Sequence, residues 1–536
     1  MSTRHNWRPV RRTAVAVTVG VVGLLAALAG VSGAQESHTT SGGSITVRLT
    51  DGDYDQLNPA LTGTYAGAQM AEFLYDRVIS LSSSGQPVPY LASSWTVKGA
   101  TVTLHIRRGA TCADGTPVTA SVVRNSLAYL GAKSTGAFPA PVVFGPAGLK
   151  SITASNSAST VKIVLNKPFS GVLTGLANPA ASIICPAGLS HIASLKNEAS
   201  GSGPYVITTS VRDSNYTLTL RKGYDWGPEG TDYAKMPATV NMEVVGSDTT
   251  AANELEGGTL QLGAVLGRDV QRLRSDKSLV DKTASIPTAN ALVFNERKGY
   301  PGADPDVRKA IAMVVNAKDY NDASSFGLDQ VSRTMFTPGM TCYNAADAKA
   351  DLSYDPKAAK ALLLKDGYKA GANGVLEKNG KPLLIRILDP TLDYSGPAYL
   401  QSALQSIGIE TKVSEVDIST YVNDIYTTGT SQWDLQEYGY GGPFPTIPEY
   451  LALQVSGGGP IDMGDVENPT FNKLADEANA SGTNSCSTWD AAERSLLTQA
   501  NVIPISVYNV WWFGAKDVNY TPSFGVSVDP FTLTVG

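Results

Sequence analysis

The chain has 536 residues, 42% of them hydrophobic and 17% charged, which excludes a disordered or fibrous protein and is too much for one small domain. Its formal net charge is −6, and loss of the arginine-rich start would make it more acidic. An acidic surface repels phosphate backbones, so a nucleic-acid partner is excluded.

Taken in chain order, Arg4, Arg8, Arg11 and Arg12 precede an apolar or small run, Thr13 to Gly30, and then Ser32-Gly33-Ala34. That order predicts a secretory signal peptide over 1–34. The alternative is a permanent membrane anchor, since the apolar run approaches spanning length. Arg11-Arg12 leaves Sec and twin-arginine export both open. No cysteine stands near the cleavage point, so the expected destination is the periplasm or outer face of the envelope without a lipobox anchor. Residues 35–43 are small and polar, a flexible tether.

Ile45, Val47 and Leu49 alternate as a strand. Tyr65 to Ile79 reads as a helix, and Thr101 to Arg107 alternates again. Asp114-Gly115 turns the chain, and Thr119 caps a helix through Leu127. Tyr205 to Ile207 and Tyr216 to Leu220 read as paired strands after Gly203-Pro204. Thr249 to Glu256 is a short helix stopped by Gly257-Gly258, where positive φ is cheap. Leu260 and Leu262 begin another strand.

From Phe294 helices and strands alternate. Val307, Ile311, Val314 and Val315 form a helical stripe, and Asp355-Pro356 starts a second helix that stops at Gly367. Asn379-Gly380 marks a hairpin. Further helices are expected at Tyr399–Ile407, Ile418–Tyr426, Phe471–Ala478 and Trp489–Ala500. Strands are expected at Leu383–Leu388, Ile409–Val416, Trp433–Tyr438 and Val502–Trp512. This alternation implies crossover connections and an α/β fold.

Four cysteines, Cys112, Cys185, Cys342 and Cys486, suit an oxidising compartment and allow three pairings, with free buried thiols the alternative. Their wide spacing, and the lack of HxxxH or CxxC, predicts no metal site and no cofactor. His38 falls in the tether, and neither His105 nor His191 has a supporting motif, so no catalytic residues are assigned.

Several stretches, in order, resemble one family. They are Leu57-Asn58-Pro59, Leu74-Tyr75-Asp76-Arg77, Leu91-Ala92-Ser93-Ser94-Trp95 and Leu104-His105-Ile106-Arg107-Arg108-Gly109. Asp114-Gly115-Thr116-Pro117-Val118-Thr119-Ala120 is the most specific. Gly201-Ser202-Gly203-Pro204-Tyr205, Arg221 to Gly227, Phe294-Asn295, Asp306-Val307-Arg308-Lys309-Ala310 and Val502-Ile503-Pro504 complete the series. Together they are similar to the extracellular solute-binding proteins of family 5, receptors of ABC importers for peptides and nickel.

The resemblance implies a large two-lobed α/β periplasmic-binding-protein-like fold of type II. The first lobe would span 44–294, with an extra subdomain at about 60–198 and a return at 506–536. The second would span 295–505. It further implies pairing within lobes, Cys112 with Cys185 and Cys342 with Cys486, and Pro204 as a stiff crossing between lobes. The implied function is non-enzymatic capture of a peptide or small polar solute for a membrane permease, by a monomer. A secreted hydrolase and a sensor without transport are the alternatives.

The ligand wall is expected where the strand from Trp433 ends. Tyr438, Tyr440 and Phe444 offer flat surface there, and Gly441 and Gly442 allow close approach. Asp53 and Tyr54, beside Asp55, form a second candidate wall, and at most one of the adjacent Trp511 and Trp512 faces the cleft. The sequence departs from the family's peptide receptors in one respect. No acid occupies Gly441 to Pro445 to meet a peptide ammonium, and Glu449 is the nearest.

Overall fold

A computed structural model describes residues 42–50, 52–82, 85–338, 340–390, 396–426, 432–439, 448–457, 462–481, 485–523, 525 and 527–536. Within it one large mixed sheet runs through most of the chain. From edge to edge its strands are Glu410–Val416, Leu384–Pro390, Leu435–Gly439, Leu279–Phe294, Val502–Ala515, Leu262–Val265, Ser44–Leu49, Thr239–Val244, Asn215–Leu220 and Tyr205–Val211. A short strand, Gln330–Val331, also pairs with Val502–Ala515.

The two long strands at the centre organise everything else. Thr283 pairs with Trp511, whereas Val293 pairs with Val502, and the register shifts between Ser285 and Ala289. One end of the pair is flanked by Leu262–Val265. The other is flanked by Leu435–Gly439, with Phe294 opposite Leu435. The chain therefore forms two halves joined by strands that change neighbours midway. The shift lies a little before the boundary expected at Phe294. Pro204 is not a crossing. It precedes an edge strand of the first half, and its carbonyl accepts from Arg221. Gly203 nearby is fixed by packing, since a Cβ there would lie 2.4 Å from the carbonyl carbon of Leu74.

In the first half, Ile45, Val47 and Leu49 are fully buried. The strand is central and covered on both faces, so Arg48 is buried too. It donates to Asp248 at 2.6 Å and to the carbonyl of Val245 at 2.9 Å. The expected helix from Tyr65 stops at Leu74 rather than Ile79. Tyr75 turns extended there, and its hydroxyl donates to the Leu57 carbonyl at 2.7 Å. A four-stranded antiparallel sheet, ordered Ala92–Lys98, Thr101–Ile106, Thr160–Leu165 and Leu149–Ser155, forms a satellite with its own core. The helix Ala120–Gly131 packs on it, capped by Thr119. Asp76 joins this satellite to the chain that follows by accepting from Tyr90, Tyr224 and Trp226 at 2.5, 2.7 and 2.8 Å.

The second half alternates helix and strand. The parallel pair Leu384–Pro390 and Glu410–Val416 is linked by the helix Gly396–Ser406, with Leu400 and Leu404 buried beneath it. Asp304 caps Pro305–Val314 with proline in the first turn, and Val307, Ile311 and Val314 face the core. Asn379 and Gly380 both take positive φ in the expected hairpin. The disulfides are Cys112–Cys185 and Cys342–Cys486, one in each half.

Candidate binding site

The point at which the long strands change partners is also where a cavity opens. It has a volume of about 40 Å³ and is lined by Asn290, Ser324, Asp329, Glu437 and Trp511 among others. Its residues come from both long strands, from Leu435–Gly439 and from the helix Ala317–Ser324 with the loop after it.

Glu437 stands on the inward register of its strand, two residues after the fully buried Leu435. Its carboxylate accepts from the Tyr320 hydroxyl and the Asn290 amide. Gly396 presses against this knot, because a Cβ there would lie 2.7 Å from the Tyr320 hydroxyl and 3.1 Å from Glu437 Oε2. Burial pushes the Glu437 carboxyl up, against the pull of those two donors.

Two more acids share its field. Asp329 accepts from the Asn509 N–H at 3.2 Å and the Ser506 hydroxyl at 3.4 Å. Burial raises it to about 7, with the Glu437 charge adding to the effect. Asp389, near the carboxyl end of the adjacent parallel strand, is also raised to about 7, by burial first and then by Glu437 and Glu415. Among the described residues no Lys or Arg is ion-paired to any of the three.

Trp511 and Trp512 face opposite sides, as adjacent strand residues must. Trp512 is core, donating to the Gly525 carbonyl at 2.9 Å. Trp511 lines the cavity, with the Arg274 guanidinium, itself paired to Asp281, over its ring at 4.7 Å. Two of the lining residues, Trp511 and Ser324, each carry a buried polar atom, Nε1 and Oγ, without a hydrogen-bond partner.

The other expected wall residues are placed as follows. Tyr438 lies in the strand Leu435–Gly439, opposite Ala291. Tyr440, Gly441, Gly442 and Phe444 lie outside the described residues. Asp53 accepts from the Tyr216 hydroxyl at 2.8 Å and the Asp213 N–H at 2.9 Å, and pairs with Arg212 at 3.2 Å. Its carboxylate is thus committed to the first half's own strands. Tyr54 is buried against Tyr216, with the Arg212 guanidinium over its ring. Neither is among the residues that line the cavity. Glu449 accepts from Ser170 of the satellite region at 2.5 Å.

Sequence reasoning missed Glu437, Asp329 and Asp389. Glu437 had a signal, an acid on the buried register of a strand. Asp329 stands in an aperiodic stretch and had none. A larger recess, about 420 Å³, opens beside Cys112–Cys185 and includes Asp114, His191 and Glu198. It belongs wholly to the first half, so motion of one half against the other would not close it.

This layout of two α/β halves, joined by paired central strands with a cavity at the join, is that of a two-lobed substrate-binding protein. Solved structures share it. A substrate-binding protein from Microbacterium hydrocarbonoxydans, complexed with 4-hydroxybenzoate hydrazide, is 27% identical with a TM-score of 0.78, over 92% of this chain and 100% of that one. The Helicobacter pylori binding protein DppA, in complex with the peptide STSA, has the same fold at 20% identity and a TM-score of 0.78, over 92% and 98%.

Residues 86–461 match the bacterial extracellular solute-binding proteins, family 5, and the chain belongs to that family. The nickel-binding periplasmic protein of Escherichia coli (strain K12) is 26% identical over 384 residues, 68% of this chain and 70% of that protein. The glutathione-binding protein GsiB of the same strain is 23% identical over 386 residues, 71% of each.

Proposed function

We propose that this protein is the substrate-binding component of an ABC importer, which captures a peptide-like or other small polar solute between its lobes and delivers it unchanged to a membrane permease. The observation that carries this reading is the position of the cavity. It lies where both long strands exchange one lobe's neighbours for the other's, so rotation of the lobes about that join would open and shut it. On this reading the lobes part where the register of the long strands shifts, near residues 285–289 and 507–509. The relatives support the solute class, since they bind nickel, glutathione and peptides.

On this reading the chain acts as a monomer outside the membrane, after loss of residues 1–34, and has no catalytic step and no nucleic-acid partner. Among the described residues no helix is long and apolar enough to cross a membrane. The test is native mass spectrometry of purified protein, combined with small-angle scattering before and after ligand removal. A single retained small molecule, and expansion when it is stripped, is expected. A chemically altered molecule on return, or an unchanged scattering profile, overturns the reading.

A further inference from the structure

Glu493, in the second half, is fully buried on the helix Cys486–Thr498. Its Oε1 accepts from the backbone N–H groups of Met335 and Phe336 at 2.5 and 2.8 Å. The same carboxyl is hydrogen-bonded to that of Asp347, in the short helix Ala345–Ala350. We propose that Glu493 and Asp347 share a proton and form a pH-sensitive clasp, which fastens the stretches around Met335–Phe336 and Asp347 to the helix while the proton is held and frees them when it leaves. The clasp belongs to the second half alone and stands whether or not the protein captures a solute.

The hydrogen-bond donors present require such a proton. Asp347 is 1% exposed, and its Oδ1 accepts from Arg494 at 2.6 Å and from Asn344 Nδ2 at 3.5 Å. That leaves Glu493 Oε2 and Asp347 Oδ2, both buried and neither reached by a donor. Ionised carboxylates only accept, so the two groups have no bond to offer one another. A single proton makes one of them an O–H donor to the other and satisfies both oxygens. Its loss leaves two anions in contact away from water.

The surrounding charges do not relieve that pair. Arg494 is bonded to the other Asp347 oxygen. Asp490, one turn earlier on the same helix, adds negative charge and accepts from Asn344 at 3.0 Å. Arg333, in the fastened segment, is committed to Asp351 at 2.7 Å, and Lys349 is exposed. The helix Pro469–Ser481, packed alongside, holds Lys473, Asp476 and Glu477 at exposed positions. The strand Val502–Ala515 contributes no residue charged near neutral pH.

The clasp also sits where its release has a consequence. Cys342 is bonded to Cys486 at the start of the helix, and Glu493 lies about two turns further along. Phe336 packs edge-on against Trp489, with ring centroids 6.2 Å apart. Upstream, the Ser332 N–H donates to the Ile505 carbonyl at 3.0 Å, Gln330 and Val331 pair with Val507 and Ser506, and Asp329 lines the cavity at the join. Glu493 thus fixes the chain between the cavity wall and the disulfide, and opening the clasp loosens that chain without releasing Cys342.

The sign follows from the burial. Desolvation, with the Asp347 charge adding to it, raises the Glu493 carboxyl from 4.5 to about 8, against the pull of the Phe336 N–H. Once opened to water the carboxyl ionises at its ordinary value, so opening releases one proton between those two pH values. The clasp is at full strength below about 4.5 and is lost as pH rises through about 8. Within that window each pH unit multiplies the open population by up to about ten.

Hydrogen exchange of the whole protein, followed by mass spectrometry from about pH 5 to about pH 9 with each rate divided by the intrinsic rate at that pH, reads this opening in peptides containing Met335–Phe336. In the wild type it should rise by about tenfold per pH unit and level off above about 8. Glu493→Gln keeps an oxygen for the two backbone N–H groups and supplies a permanent N–H toward Asp347, so its opening should not vary with pH. Asp347→Asn offers an N–H to an ionised Glu493 and should weaken the pH dependence. Circular dichroism would verify folding of both. A wild-type opening that does not change with pH, or an equal change in Glu493→Gln, overturns the proposal. If Glu493→Gln does not fold, an undiminished pH dependence in Asp347→Asn overturns it instead.

Discussion

Asp329→Asn gives the sharpest test of the electrostatics at the join. In the folded protein burial and the Glu437 charge raise this carboxyl from 3.8 to about 7. For an acid raised on folding, the contribution to stability is fully present below the unfolded value, near pH 4. It is lost as pH climbs through about 7. The displacement corresponds to roughly 4 kcal/mol of preference for the neutral form. Partial exposure and solvent screening bring the expected effect to roughly 1–3 kcal/mol. Asparagine retains an oxygen toward the Asn509 N–H and never ionises. The substitution should therefore be near neutral at pH 4 and stabilising by roughly 1–3 kcal/mol at pH 8. Urea unfolding of both proteins at both pH values, on ligand-free material, yields the double difference. A double difference of zero, or a larger loss at pH 8 than at pH 4, would refute the claim that this acid is held against its charge.

Two further outcomes test the scaffold. Asp76→Ala removes the acceptor shared by Tyr90, Tyr224 and Trp226, all buried. It should destabilise by roughly 3–5 kcal/mol, and a urea midpoint within experimental scatter of wild type would contradict this. The disulfides close sequence separations of 73 and 144 residues. Replacing either pair by serines should lower stability by roughly 2–5 kcal/mol, read as a fall in thermal midpoint under non-reducing conditions, and reduction of the wild type, which opens both, should lower the midpoint at least as far.

Much of the local structure was legible in the sequence because its causes are local. Thr119 could be read as a cap because a hydroxyl before an apolar run reaches a backbone N–H three residues on. It does so here, accepting from Val122 at 3.4 Å. Gly258 could be read as a stop because it takes a left-handed conformation, with φ of 73°. The point at which the long strands change register was not legible. A register shift inside a sixteen-residue strand leaves no periodic mark that distinguishes it from a straight one. Pro204 was misread because proline signals a stiff backbone without saying which elements it separates.

By itself the sequence determined the α/β class, the family, and the caps and turns. Each of these depends on a few neighbouring residues or on an ordered series of motifs. The pairing of the cysteines was left open until the structure joined Cys112 to Cys185 and Cys342 to Cys486. Only the tertiary structure decided which acids matter. Asp53 was conspicuous in the sequence and is neutralised by Arg212 and Tyr216. Glu437, Asp329 and Asp389 were inconspicuous and are brought into one electrostatic field by long-range strand pairing. The physical reason is that desolvation and charge repulsion act through space and not along the chain, so their site exists only after the halves have been joined.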